Sequence, residues 1–272
     1  AAMGLNLKGH INMKKINEYG YMMPSHKENT WMEMKKGQNI AGYGIGILLL
    51  DKVWYPIVPG NVVNAWTYKY PVRFKAVKGL DTPTLHSGAP EAYDAILEAA
   101  KELEMEGVRA ISGACGFFGN FQKRLAADMD IPVAISSMVQ VPWIRTLLKP
   151  GEKIGIMTAN AIAMSEQIFE SCGINKTDDL VIADLRHGEN FHNIMEDQGS
   201  FDNTGVRDDV VNAAMKLVEE NPDVGAILLE CSDMPPYAWE IQKATKRPVF
   251  DFITLINWME NACQQRPYDG WI

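Results

Sequence analysis

The sequence predicts an α/β protein of two pseudo-symmetric lobes, each a mainly parallel sheet flanked by helices, with the site in the cleft between them. Three observations carry this. Short β-branched runs alternate with helical stretches along the chain. The order of these elements repeats in the two halves. In each half one buried run ends in a cysteine.

Residues 1–40 are polar and methionine-rich, with no sustained period, and read as an N-terminal extension or lid. GIGILLLD, from Gly44, is a buried strand. PEAYDAILEAAKELEMEG is an amphipathic helix, with Tyr93, Ile96, Leu97, Ala100 and Leu103 on one face, Pro90 near its start and Gly107 just past its end. VRAIS, PVAIS, IGIMTA, LVIAD, GAILLE and PVFDF are further short strands separated by helical stretches. Gly42, Gly44 and Gly46 precede a strand and open no helix, so they are not a dinucleotide loop.

The halves align in detail. Ile45-Gly46-Ile47 opens the first and Ile154-Gly155-Ile156 the second, after the turn-like KPGEK. Cys115 and Cys231 follow those openings by 70 and 77 residues, and a Pro-Val strand start follows each cysteine by 17, at Pro132 and Pro248. A duplicated lobe explains this best. In open α/β sheets ligands bind at the carboxyl ends of strands, so each lobe presents its cysteine at its own binding edge, and two edges that face one another would put the cysteines on opposite walls of one cleft.

Composition bounds the function. The 272 residues are 47% apolar, enough for a core in each of two lobes. The net charge is −8 with no long basic block, which points away from nucleic acid and membrane surfaces as partners. The longest apolar run, Ile45 to Leu50, is too short to span a bilayer, and the protein reads as cytoplasmic. The four cysteines form no CxxC and the five histidines no HxxxH, so free thiols and no metal site are expected. Cys172 and Cys263, which lack the symmetry of the other pair, read as packing residues. The polar segment 187–203 reads as solvated surface in preference to a lid.

Two facing thiols suit one kind of chemistry. Inverting a stereocentre beside a carboxylate requires removing a proton from one face and delivering one to the other. A thiolate base and a thiol acid can coexist near neutral pH when their surroundings lower a reference pKa of roughly 8.5. Backbone N–H groups in the turns after the cysteines can stabilise the developing charge, so no cofactor is required; Gly116 and Gly119 allow close approach and Ser232 adds a hydroxyl.

Cys115 in SGACGFFG and Cys231 in LLECSDMPPY, on duplicated lobes, resemble the aspartate/glutamate racemase superfamily. The segment ILLLDKVWYPIVPGNVVNAWTYKYPVRFKAV is similar to members with a Pro-Gly motif followed by an aromatic-Pro-Val strand, and the likeness runs from about Ile45 to Trp258. The resemblance implies cofactor-independent proton transfer beside a carboxylate, with Cys115 and Cys231 as the acid/base thiols and Asp51, Thr158 and Asn160 as polar groups near them. It also implies a chain that returns to the first lobe, giving a first lobe of residues 41–148 and 252–272 and a second of 149–251. Glutamate racemases carry Asn-Thr and Thr-His after their cysteines. Here Gly116-Phe117 and Ser232-Asp233 stand there, so the groups that hold a free amino acid are not carried over. Phe117, Phe118, Tyr237, Trp54 and Tyr55 suggest a more aromatic pocket, suited to an aromatic, cyclic or cationic substrate.

The first expectation is therefore a racemase or epimerase acting on a small carboxylate, with a homodimer compatible with its size. The alternative is a lyase using the same thiolate base, as in the related algal enzymes that cleave dimethylsulfoniopropionate to acrylate and dimethyl sulfide. A decarboxylase, a maleate isomerase and a non-catalytic binding module are further readings.

Overall fold

The structure, a computed structural model, describes residues 36–266, 268 and 270–272. Residues 1–35 of the expected extension lie outside these.

The first sheet consists of β1 (Ile45–Leu50), β2 (Val72–Val77), β3 (Ala110–Gly113) and β4 (Val133–Ala134), in the order β2-β1-β3-β4. The second consists of β5 (Lys153–Thr158), β6 (Leu180–Asp184), β7 (Val224–Leu229) and β8 (Val249–Phe250), in the order β6-β5-β7-β8. All six pairings are parallel, so each sheet places its first strand second and its third strand next to it. The repeat read in the sequence is thus a repeat of topology. Near-continuous apolar strands are what two covered sheet faces demand.

Between them run α1 (Thr82–Ser87), α2 (Tyr93–Met105), α3 (Gln122–Asp128), α4 (Val141–Leu147), α5 (Glu166–Ser171), α6 (His192–Met195), α7 (Asn203–Glu220) and α8 (Ala238–Thr245); α9 (Phe252–Cys263) follows β8. Helix α2 forms as its pattern predicts: a 3-10 turn at Pro90–Ala92 leads into it, and Tyr93, Ile96, Ala99, Ala100 and Leu103 are buried. Gly107, at φ +89°, takes the left-handed turn that ends it. Helix α7 buries Val206, Val210, Ala214 and Leu217, and the Asp202 carboxylate caps its first turn.

Helix α9 starts from a capping box between Asp251 and Thr254 and carries the chain back to the first sheet, where Phe252, Leu255, Ile256 and Met259 pack with Ile45, Ile47 and Ala110. A larger cluster joins Leu48 and Ile111 of the first sheet to Ile154, Ile156 and Leu228 of the second. The lobes therefore share apolar core. Two buried serines tie them by hydrogen bonds: Ser137 donates to the carbonyl of Leu229 at 3.0 Å, and Ser232 donates to that of Ala114 at 2.8 Å. No helix among the described residues is long and apolar enough to cross a membrane.

Candidate active site

Cys115 is the second residue beyond β3 and Cys231 the second beyond β7, each at the carboxyl end of an interior strand. The backbone then turns alike in both places. A 3-10 turn at Gly116–Phe121 leads into α3, and one at Pro235–Tyr237 leads into α8. Each sulfur meets the backbone N–H two residues on, that of Phe117 for Cys115 and of Asp233 for Cys231, a contact that favours the thiolate. Both thiols line one small cavity between the lobes.

The cavity is acidic. Asp233 accepts hydrogen bonds from Asn61 Nδ2 at 2.5 Å, Tyr55 Oη at 3.3 Å and Cys231 Sγ at 3.5 Å. Glu230 is 1% exposed; its Oε2 accepts from Thr158 Oγ1 at 2.8 Å, while its Oε1 has no hydrogen-bond partner among the described residues. Burial raises the Glu230 carboxyl to about 7. Burial also pushes both cysteine thiols up, reinforced by Glu230 and Asp233, so both are protonated in the free protein at neutral pH. No lysine or arginine is among the described residues that line the cavity.

Facing Cys115, His86 of α1 brings Nε2 to 3.9 Å from Sγ, and its ring lies against Phe117 with centroids 4.0 Å apart. Burial, together with Arg186, lowers this imidazole to about 4, which keeps it neutral. Asn160 Nδ2 sits 3.2 Å from His86 Nδ1, and Arg186 Nη1 donates to Asn160 Oδ1 at 3.4 Å.

Of the residues singled out in the sequence, Cys115, Cys231, Tyr55, Gly116, Phe117 and Ser232 line the cavity. Ser232 was expected as a hydroxyl donor to ligand, but its proton is committed to the Ala114 carbonyl, where the lobes meet. Thr158 and Asn160 stand one shell back and hold Glu230 and His86. Tyr237 is buried beside the cavity, with its hydroxyl on Asn203 Oδ1 at 2.9 Å. Asp51 is exposed and accepts from the Gly79 N–H at 2.9 Å; it is not among the cavity-lining residues, although Leu50 and Val53 on either side of it are. Trp54 is 71% exposed and Phe118 fully buried, so neither ring faces the cavity.

The reading of 187–203 as solvated surface does not hold. Ile194, Met195 and Asp197 line the cavity, and the segment is fastened to the first lobe by Trp54 N–H donating to Asp197 Oδ1 at 3.0 Å and Gly199 N–H donating to the Trp54 carbonyl at 2.7 Å. Ile194, Met195 and the Asp197 carboxylate turn inward, and Phe191 is fully buried.

Sequence reasoning passed over His86, Glu230 and Asn61. A carboxylate closing the apolar run VGAILLE, directly before the cysteine, was the available signal for Glu230. His86 lies 29 positions before Cys115 and had none. Among the described residues, no group of three or more histidine, cysteine or carboxylate side chains is arranged to hold a metal ion.

Two parallel sheets of identical strand order, meeting at a cleft with a thiol at each matching strand end, define a two-thiol α/β fold of the racemase and decarboxylase type. Solved structures agree. Allantoin racemase from Pseudomonas fluorescens superposes with a TM-score of 0.55 at 14% identity, over 80% of this chain and 89% of its own. A glutamate racemase isoform from Bacillus anthracis gives 0.52 at 14% identity, over 81% and 82%. Arylmalonate decarboxylase gives 0.52 at 16% identity, over 81% and 92%. At such identities these likenesses establish the fold alone.

No protein-family model matches the chain. Curated relatives place it more finely. Dimethylsulfoniopropionate lyase of Durusdinium sp. clade D is 31% identical over 253 residues, 89% of this chain and 83% of that protein. Dimethylsulfoniopropionate lyase 7 of Emiliania huxleyi (strain CCMP1516) is 30% identical over 236 residues, 83% of this chain and 69% of that protein. The chain belongs to the aspartate/glutamate racemase superfamily and, within it, to the same family as these lyases.

Proposed function

We propose that the protein is a carbon–sulfur lyase that eliminates dimethyl sulfide from dimethylsulfoniopropionate, leaving acrylate, with Cys115 and Cys231 as its acid/base thiols. The observation that carries this reading is the charge of the cavity: three carboxyl groups, from Asp197, Glu230 and Asp233, two thiols and no cationic side chain among the described lining residues. A dicarboxylic amino acid would bring negative charge to Glu230 and Asp233 with nothing described to offset it. A sulfonium brings positive charge, and it opposes the burial and carboxylate effects that hold the thiols protonated. Binding of such a substrate therefore helps create the thiolate that attacks it.

In the step itself a thiolate takes a proton from the carbon beside the carboxylate. The C–H electron pair becomes the new C=C bond, and the carbon–sulfur bond breaks with its pair on sulfur. Dimethyl sulfide leaves uncharged, acrylate remains, and the proton on the thiol returns to solvent. No cofactor is needed, because a sulfonium is already a good leaving group. The sequence relatives, named as dimethylsulfoniopropionate lyases, support the same substrate.

Racemisation beside a carboxylate is the second reading, favoured by one observation: the matched backbone N–H contact at both sulfurs makes either thiol competent as base. Both readings are separated by incubating the purified protein with dimethylsulfoniopropionate and with a panel of amino acids and hydantoins in D2O. Dimethyl sulfide in the headspace with vinyl proton signals is the expected result, and replacing by Ala whichever of Cys115 and Cys231 is the base should lower it by about 10³-fold or more. Deuterium uptake beside a carboxylate without vinyl signals would replace the lyase with a racemase.

A further inference from the structure

The two thiols, matched in backbone, differ in the side chains that face them. We propose that His86 is a positioning residue whose Nε2–H points at Cys115, held in that tautomer by Asn160 and Arg186, so that Cys115 is the thiol that removes the substrate proton and Cys231 the one kept protonated. The inference rests on the two-thiol chemistry proposed above and adds the polarity of the pair.

The argument starts from an arginine, which can only donate. The Asn160 atom that Arg186 Nη1 meets at 3.4 Å must then be the carbonyl oxygen, which fixes the amide the other way round toward His86. An amide nitrogen only donates as well, so His86 Nδ1, 3.2 Å from Asn160 Nδ2, must accept. A neutral imidazole that accepts at Nδ1 carries its proton on Nε2, and Nε2 is the atom 3.9 Å from Cys115 Sγ. The ring is kept in this plane by contact with Phe117. His86 is therefore a hydrogen-bond donor to sulfur and cannot, in this tautomer, take the thiol's proton as the histidine of a cysteine–histidine dyad does.

Cys231 meets the opposite environment. Its nearest side-chain partner is the Asp233 carboxylate, 3.5 Å away, which accepts the S–H and disfavours its loss. Asn61 and Tyr55 donate to the same carboxylate and hold it there. A donor on one thiol and an acceptor on the other make the pair unequal, as elimination requires: it takes one base and has no use for its mirror image.

The tautomer can be read directly by nitrogen-15 NMR of protein labelled at its histidines, with the His86 signals identified by their absence from His86→Gln. A bare Nδ1 and a protonated Nε2 are expected; the reverse pattern, or an imidazolium at neutral pH, would overturn the proposal. The polarity is read by the rate of iodoacetamide alkylation at each cysteine, followed by peptide mass spectrometry. Cys115 should react faster than Cys231. His86→Leu should slow Cys115 by about ten- to a hundredfold while leaving Cys231 unchanged, and His86→Gln, which keeps an N–H donor, should restore most of the rate. Equal slowing of both thiols, or none, would refute it. Neither readout uses substrate, so a protein that releases no dimethyl sulfide would fail the lyase proposal and leave this one to be judged separately.

Discussion

Gly116→Ala is the most direct probe of how the two walls of the cavity meet. A Cβ at position 116 would lie 1.8 Å from Glu230 Oε1, 2.3 Å from its Cδ and 2.6 Å from the Glu230 backbone oxygen. Position 116 does not have a positive φ, so the effect is one of space alone. The side chain can turn aside only by giving up its bond from Thr158. The backbone oxygen cannot turn aside: the Glu230 N–H is bonded to the Met157 carbonyl at 2.8 Å, and Ser137 Oγ holds the neighbouring carbonyl from across the cleft. Since ordinary contact begins at 3.4 Å, that oxygen and the strand end carrying Cys231 must retreat by about 0.8 Å. Overpacking of this kind costs about 1–3 kcal/mol, or about 2–12 °C in Tm for a chain of this size. A displacement approaching 1 Å between reacting groups costs about 10²-fold in turnover. Scanning calorimetry gives the first quantity, and dimethyl sulfide release by headspace gas chromatography the second. A Tm within about 1 °C of the parent together with kcat/KM within about twofold would refute the tight junction of Gly116 on Glu230.

Glu230→Gln tests the buried carboxyl through pH. Its folded value is raised from 4.5 to about 7, so between those values the folded protein keeps a proton that the unfolded chain has lost. Stability present below pH 4.5 then falls as pH rises, by about 3 kcal/mol once pH passes 7. Glutamine escapes this loss. The variant should melt above the parent at pH 8 and level with it at pH 4, while kcat/KM for the sulfonium falls about tenfold or more. Asp197→Ala removes the acceptor for the Trp54 N–H and should loosen the cover over the cavity, raising KM about three- to tenfold with little change in kcat; unchanged KM would show that the cover is not fastened there. Asp51→Ala should leave kcat/KM within about twofold, and a large loss would return Asp51 to the substrate.

The sequence by itself determined the class of fold, because a parallel sheet covered on both faces needs near-continuous apolar strands, and these can be read one run at a time. It also determined the repeat, since Ile45-Gly46-Ile47 and Ile154-Gly155-Ile156, each followed by a cysteine and a Pro-Val strand, are local patterns at matching intervals. The cysteines and the glycine after Cys115 were legible for the same reason: strand ends are where such sheets bind ligands. Only the tertiary structure decided what surrounds them. His86 reaches Cys115 from another helix, Asn61 reaches Asp233 from the other lobe, and Ile194 and Met195 turn inward from a segment whose composition looks like surface. Asp51 is exposed and outside the cavity lining although it directly follows the first strand, and the Ser232 hydroxyl went to Ala114. Hydrogen bonds and electrostatic fields act over a few ångströms whatever the separation along the chain, so the acidity of the cavity and the opposed surroundings of its two thiols exist only once the lobes have closed on each other.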